Sequence, residues 1–369
     1  MFKYIVVGAG FSGLTMAERI ARQVKEHVLV IEKRNHIGGN CYDEYNPEGL
    51  LTHKYGPHIF HTNSQKVWEY VNRFTEWIYY QHRVMAYIDG AYVPLPISIE
   101  TVNRLYNVNL SCMEFEDFIR KRSLSFPVID NAEKMALNLV GRDLYEKIYK
   151  NYTFKQWGLN PSELDKSVVE RLPIRYNRDS RYFNDRYQGI PKLGYHNLFQ
   201  KMLDSPYIHV LLNTDFKQIL ASLDYEYLIY TGPIDYFFDY KYGTLKYRSL
   251  KFESDIFDRE IVQAAPVINY PNDFDFTRAT EYKQMTQQVH PKTVVVREYP
   301  TWDGEPCYPV PQPECLKQYQ LYEKETQSLE NVLFVGRLAE YKYSNMDAII
   351  DNALEIFKTR ILKDQTDTD

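Results

Sequence analysis

A chain of 369 residues has room for two or three domains and a sizeable core. It is 44% hydrophobic and 25% charged with a net charge of −5, which excludes a nucleic-acid binder working through bulk attraction. No stretch approaches 18 uninterrupted apolar residues, so no membrane span is expected. The 33 tyrosines outnumber the 19 phenylalanines. They suit partly wet pockets for sugars and bases, or equally a half-exposed sheet. Cys41, Cys112, Cys307 and Cys315 form no CxxC pattern, and "MFKYIVVGAG" enters a strand without a leader pattern, so a reduced, cytoplasmic protein is expected.

In chain order, the first element is the β-branched run "YIVV" (4–7), followed at once by Gly8, Gly10 and Gly13 in a GxGxxG turn. Leu14, Ala17, Ile20, Ala21 and Val24 then fall at helical spacing, and "VLVI" (28–31) ends at Glu32, 19 residues after Gly13. Strand, glycine turn, helix, strand and acid make a dinucleotide-binding unit. Gly8 permits the turn, Gly10 admits a pyrophosphate and Gly13 lets helix and strand pack closely. The first helical turn, from Phe11 and Ser12, faces the phosphates, and Glu32 would bond the ribose hydroxyls. "KRNHIGGN" adds Gly38, Gly39 and Asn40, and "NVLFVGRL" (331–338) adds a strand ending at Gly336 and Arg337. This combination resembles the FAD fingerprint of the flavoprotein superfamily that includes the amine oxidases.

Between these ends, Ser111 and Glu114 read as a capping box, and a helical run from Asn131 is expected to stop at Gly141. "HVLLN" (209–213) and "YLIYTG" (227–232) read as returning strands of the dinucleotide fold. "TLKYRSLKFES", "APVINYP" and "KTVVVREY" suggest an antiparallel sheet, and the Pro-rich "EPCYPVPQPEC" (305–315) an ordered loop. The expected fold is α/β: a discontinuous FAD-binding Rossmann-type domain (1–75, 195–240 and 325–369), an inserted helical domain (98–150) and an antiparallel-sheet substrate domain with a mobile loop (76–97, 151–194 and 241–324).

Candidate chemistry lies in four places. Arg171, Arg175, Arg178, Arg181 and Arg186 crowd sixteen residues of an acidic chain, and arginine grips phosphate bidentately. Tyr152 and Trp157 offer faces for a base or sugar, and a strand would carry Arg278 to a cleft. Tyr341 and Tyr343 alternate with Lys342 and so should face one way. Finally, "GPHIFHTN" (56–63) sets His58 and His61 three apart, open to reading as a metal pair, an acid–base couple or a pocket wall.

The blocks "VVGAGFSGL", "YGPHIFHTN", "YTFKQWG", "ERLPIRYN", "YQGIPKLGY", "TRATEYKQM" and "VGRLAEYKYSNMDAII" resemble the bacterial UDP-galactopyranose mutase family nearly end to end. The resemblance implies reversible conversion of UDP-galactopyranose to UDP-galactofuranose, with N5 of reduced FAD as nucleophile on the anomeric carbon. It implies that Arg171, on the mobile loop, and Arg278 clamp the pyrophosphate, with Tyr182, Tyr308 and Tyr343 as further contacts. Tyr152, Thr153 and Trp157 resemble uridine-side contacts. Asn345 stands where some members carry Asp, Gln81 where others carry Asn, and Cys307 where many carry tyrosine. The implied FAD contacts are Gly8, Gly10, Phe11, Ser12, Gly13, Glu32, Lys33, Gly39, Asn40, His58, Ile59, His61, Gly336, Arg337, Met346 and Asp347. His61 is then catalytic and, with His58, a pocket wall. No Asp, Glu or Cys joins the pair at ligand spacing, so no metal is expected. A homodimer and a cell-surface polysaccharide product are also implied. A UDP-N-acetylgalactosamine mutase, an amine-oxidase-like flavin oxidase and a non-enzymatic UDP-sugar or FAD binder are the alternatives; a histidine at position 61 resembles the plain galactose form.

Overall fold

The computed structural model describes residues 2–170 and 173–363. Its first layer is a five-stranded parallel sheet in the order Ile208–Leu211, Val28–Ile31, Tyr4–Val7, Tyr227–Tyr230, Val332–Phe334. Buried on both faces, the central strands read as continuous apolar runs. One face packs the helices Phe11–Arg19, Gly194–Met202 and Met346–Ile356, and the other packs Phe216 and Ala339. Strands from three distant parts of the chain make this sheet, as the returning strands at 208 and 227 and the C-terminal strand at 332 require.

The second layer is a seven-stranded sheet in the order Tyr308–Pro309, Tyr247–Phe257, Thr293–Thr301, Arg278–Glu281, Val267–Asn269, Val84–Ile88, Ala91–Leu95. It is antiparallel except where Val267–Asn269 runs parallel to Val84–Ile88. A smaller sheet, Phe60–Thr62, Tyr187–Pro191 and Trp77–Tyr79, carries His61.

Helices Ile99–Tyr106, Cys112–Arg122 and Ala132–Leu144 stack over the seven-stranded sheet and share one apolar core with it. The Ser111–Glu114 capping box is formed: Glu114 accepts from the Ser111 amide at 2.8 Å. Helical backbone then runs on through Tyr145–Lys150 into Asn151–Trp157.

Two local expectations are corrected. The Pro-rich stretch 305–315 is not all loop. Tyr308–Pro309 pairs with Tyr247 and Arg248, and Pro313 opens the helix Pro313–Thr326, where a missing amide costs nothing. Gly141 is not a stop but a kink: its φ of 76° and ψ of 177° interrupt a helix that resumes to Leu144. Glycine is required there, since a Cβ would sit 2.2 Å from the Arg122 carbonyl oxygen. Gly141→Ala should therefore cost about 1–3 kcal/mol in reversible denaturant unfolding; unchanged stability would contradict the packing of these helices.

Candidate active site

The two large sheets meet at a cavity of about 850 Å³, inside the range of ligand sites. Its floor is the glycine turn. Gly8, at φ 101°, leaves no room for a Cβ, which would lie 2.1 Å from Thr231 Oγ1. Gly10 and Gly39 approach so closely that a Cβ on Gly39 would lie 3.0 Å from the Gly10 Cα. Gly13 does not line the cavity; a Cβ there would meet the Gly8 carbonyl at 2.0 Å, so it fixes the helix against the strand. Glu32 is buried, with its carboxylate accepting from the amides of Ala9 and Arg34, both at 2.8 Å.

Two helices begin at this floor without a side-chain cap, Phe11–Arg19 after Gly10 and Met346–Ile356 after Asn345. Their N-terminal ends aim partial positive charge into the crevice, although the Ala348 amide is taken by Asp347 Oδ1 at 2.8 Å. Phe11, Ser12, Lys33, Asn40, His58, Ile59, Arg337, Asn345 and Met346 all line it, whereas Gly336 and Asp347 lie outside the lining. Gly336 instead closes on Ser12, where a Cβ would come within 2.2 Å of Oγ. The glycine cradle, the paired helix starts and the buried ribose-side acid fit an FAD.

The opposite wall belongs to the second sheet. Arg278, the first residue of its strand, lies between Asn269 and Glu298 across the antiparallel register. Its Nε is 3.4 Å from Glu298 Oε2, and Nη2 donates to the Tyr152 hydroxyl at 3.1 Å. Burial opposes the guanidinium charge, but Glu298 and the surrounding tyrosine hydroxyls hold its pKa well above the ordinary arginine value. Arg278 Nε, Asn269 Oδ1 and Glu298 Oε1 are all buried without a hydrogen-bond partner. Unsatisfied groups so concentrated at one junction mark a place built for a polar ligand.

A smaller recess of about 100 Å³ opens beside this row, lined by Thr153, Gln156 and Trp157 and sharing Tyr152, Tyr182, Arg278, Tyr308 and Tyr343 with the main cavity. Tyr308 stacks on Tyr343 with centroids 5.5 Å apart, and Trp157 meets both edge-on. Tyr341 does not join them. A φ of 45° breaks the expected alternation and sends it into the core, where its hydroxyl donates to the Lys246 carbonyl at 2.6 Å.

His61 stands on the wall, stacked on Phe183 with centroids 3.7 Å apart, and its Nδ1 lies 2.8 Å from Asp185 Oδ2. Asn63 Nδ2 holds the other carboxylate oxygen at 2.7 Å. His58 Nδ1 lies 2.8 Å from the Gly56 carbonyl, and its amide donates to His53 Nδ1 at 3.0 Å. Among the described residues no three His, Cys, Asp or Glu side chains are grouped to hold a metal.

Gln81 is exposed and absent from the lining; its neighbour His82 is buried and lines the cavity. Arg171 lies outside the described residues. Of the other clustered arginines, Arg175 is buried on the wall and donates to the Tyr182 carbonyl at 3.3 Å. Arg178 pairs with Glu100, Arg181 with Asp179 at 2.7 Å, and Arg186 lies over the Tyr187 ring. Asp185, Phe183, His82, Asn269 and Glu298 escaped the sequence reading. Alternation along the strand Thr293–Thr301, which puts Glu298 in line with Val294 and Val296, is the one local signal that could have found Glu298.

Fold and crevice together define a flavoprotein of the dinucleotide-fold class. The sequence profile described as UDP-galactopyranose mutase matches residues 147–343, and that described as NAD(P)-binding Rossmann-like domain matches residues 6–74. The chain is 39% identical to the "Probable UDP-galactopyranose mutase" of Klebsiella pneumoniae, over 95% of this chain and 92% of the relative. It is 37% identical to the dTDP-fucopyranose mutase of Escherichia coli, over 96% and 97%. A crystal structure of reduced UDP-galactopyranose mutase superposes with a TM-score of 0.76 at 16% identity, over 97% of this chain and 93% of that one. A putrescine oxidase shares the fold alone, at 11% identity and a TM-score of 0.61 over 98% and 99%. This chain belongs to the UDP-galactopyranose mutase family.

Burial lowers His82 to about 3, aided by the charge of Arg278, and lowers His53 to about 3 and His58 to about 4. Because each folded value lies below the usual 6.5, the unfolded chain takes up protons first on acidification. Stability is therefore full above that value and is lost as pH falls toward the folded ones. The Tyr80 hydroxyl lies 3.0 Å from His82 Nδ1, so His82→Asn, which keeps a polar partner there, should flatten the fall in Tm between neutral pH and about pH 5. An unchanged slope would contradict a neutral buried His82.

Proposed function

We propose that this protein interconverts UDP-galactopyranose and UDP-galactofuranose with reduced FAD as its working cofactor, as a homodimer in the cytoplasm. Among the described residues no helix is long and apolar enough to cross a membrane, and all four cysteines are free. The observation that carries the reading is Arg278, a half-buried, charged guanidinium at the junction of crevice and recess, whose Nε lies 3.4 Å from Glu298 without a hydrogen-bond partner. A diphosphate answers such a group; an amine offers it nothing.

Reduced FAD, when bound, supplies a nucleophilic nitrogen for the anomeric carbon. The protein contributes the rest. Arg278 holds the diphosphate and offsets its charge as it leaves the sugar, and Arg171 is the proposed second arm. Tyr152, Tyr182, Tyr308 and Tyr343 offer hydroxyls around the same groups. Thr153 and Trp157 line the recess that takes the uracil. The wall of Tyr308, Tyr343 and Trp157 keeps water from the departing nucleotide while it waits to recombine. His61 donates from Nδ1 to Asp185, which leaves Nε2 as the acceptor on the sugar side. Gln81 is left out of this assignment, because it is exposed and outside the cavity lining. Domain partition follows this division of labour: residues 1–75, 195–240 and 325–369 hold the cofactor.

Anaerobic reduction with dithionite followed by UDP-galactofuranose should give UDP-galactopyranose, with none formed by the oxidised protein and no stoichiometric oxygen uptake. Turnover by the oxidised form with release of peroxide would contradict the mutase reading. The fucose-type relative makes dTDP-fucopyranose the natural competitor. A higher kcat/KM for that substrate would keep the reaction class and overturn the assigned sugar nucleotide.

A further inference from the structure

The helix Asn151–Trp157 presents Tyr152, Thr153, Gln156 and Trp157 to the recess, as helical spacing places them on one face. Lys155 lies off that face. Its Nζ reaches four backbone carbonyls of a single turn: Tyr270, Asp273 at 3.2 Å, Phe274 at 3.2 Å and Phe276 at 3.1 Å. That turn joins strand Val267–Asn269 to strand Arg278–Glu281, so it is flanked by Asn269 and Arg278, both on the cavity wall.

Other contacts belong to the same tie. Asn151 Nδ2 donates to Asn272 Oδ1 at 3.0 Å, and Asn272 Nδ2 donates to the Lys147 carbonyl at 2.9 Å. Arg248 holds the last carbonyls of the helix, Gln156 at 3.0 Å and Lys155 at 3.2 Å. Phe274 sits at φ 58°, a left-handed conformation that a bulky residue adopts only when its surroundings enforce it. The ring of carbonyls therefore needs its central cation: without one, four acceptors converge on nothing.

We propose that Lys155 is a positioning residue for nucleotide binding, its ammonium seated in the carbonyl ring of turn 270–276 and setting the spacing between the recess and Arg278. The inference rests on reading the recess as the base subsite. Lys155 touches neither substrate nor cofactor. It acts by keeping the base-binding helix and the diphosphate-binding strand in one frame, so that a nucleotide meets both without first reordering the turn.

The test uses full-length, FAD-loaded protein with Lys155→Met and Lys155→Arg, titrated with UDP and with dTDP and then assayed. Methionine keeps the aliphatic length and removes every donor; the planar guanidinium cannot point its donors into one small ring. Lys155→Met should raise the UDP dissociation constant by about tenfold or more, with KM rising more than kcat falls and the flavin spectrum unchanged. Lys155→Arg should show a smaller rise of the same kind. If Lys155→Met does not fold, the arginine variant decides, and wild-type affinity there overturns the proposal. Lys155→Ala in 0.1 M potassium should regain UDP affinity relative to lithium, because potassium fits a carbonyl ring. Equal affinity in the two salts overturns the ring's need for a cation, and a fall in kcat at unchanged affinity overturns the positioning role. Should the wild type bind neither nucleotide, the functional reading fails first, and that result is distinct from either.

Discussion

The Arg278–Glu298 pair is the constraint on which this molecule is arranged. Two opposite charges buried side by side are costly unless further groups complete their hydrogen bonds. Here the strand register supplies Asn269 on one side and Glu298 on the other, and the helix Asn151–Trp157 supplies Tyr152. Even so, Glu298 Oε1 has no hydrogen-bond partner, and Arg278 Nε meets the other carboxylate oxygen only as an ion pair at 3.4 Å. A bound diphosphate would accept from the guanidinium, and the neighbouring elements keep that donor in place.

On the facing side the demands are geometric. Gly8, Gly13, Gly39 and Gly336 are sites where a methyl group would collide with backbone or with a neighbouring hydroxyl. Their absence of side chains lets two helix starts and two turns converge on one crevice. The parallel sheet is assembled from both ends of the chain, with the C-terminal strand Val332–Phe334 at its edge. Between floor and wall stand His61 and Asp185, joined across 124 residues.

How much of this the chain declares depends on the range of each interaction. The glycine turn, Glu32 and the returning strands are local patterns, legible because the backbone itself requires them. Arg278 was legible as a strand residue bound for a cleft. The Arg171–Arg186 run was not, as a run: Arg181 and Arg186 lie against near neighbours, Arg178 pairs with the distant Glu100, and Arg175 braces the wall. Composition cannot separate a brace from a ligand grip. Tyr341 misled because alternation presumes extended backbone, and a left-handed residue breaks it. Asp185, Glu298 and His82 acquire meaning only from partners brought together by tertiary folding, and Gln81 was one position away from the residue that faces the cavity.

The most direct test compares UDP with uridine in FAD-loaded wild type and Arg278→Ala, with the flavin spectrum as the control for an intact floor. Removing the guanidinium should cut the preference for UDP over uridine by at least about tenfold while flavin absorbance is retained, since of the nucleotide's groups the diphosphate is the one the lost charge holds. An unchanged UDP-to-uridine ratio would mean that the buried pair serves the fold and not the substrate, and the account would be wrong at its centre.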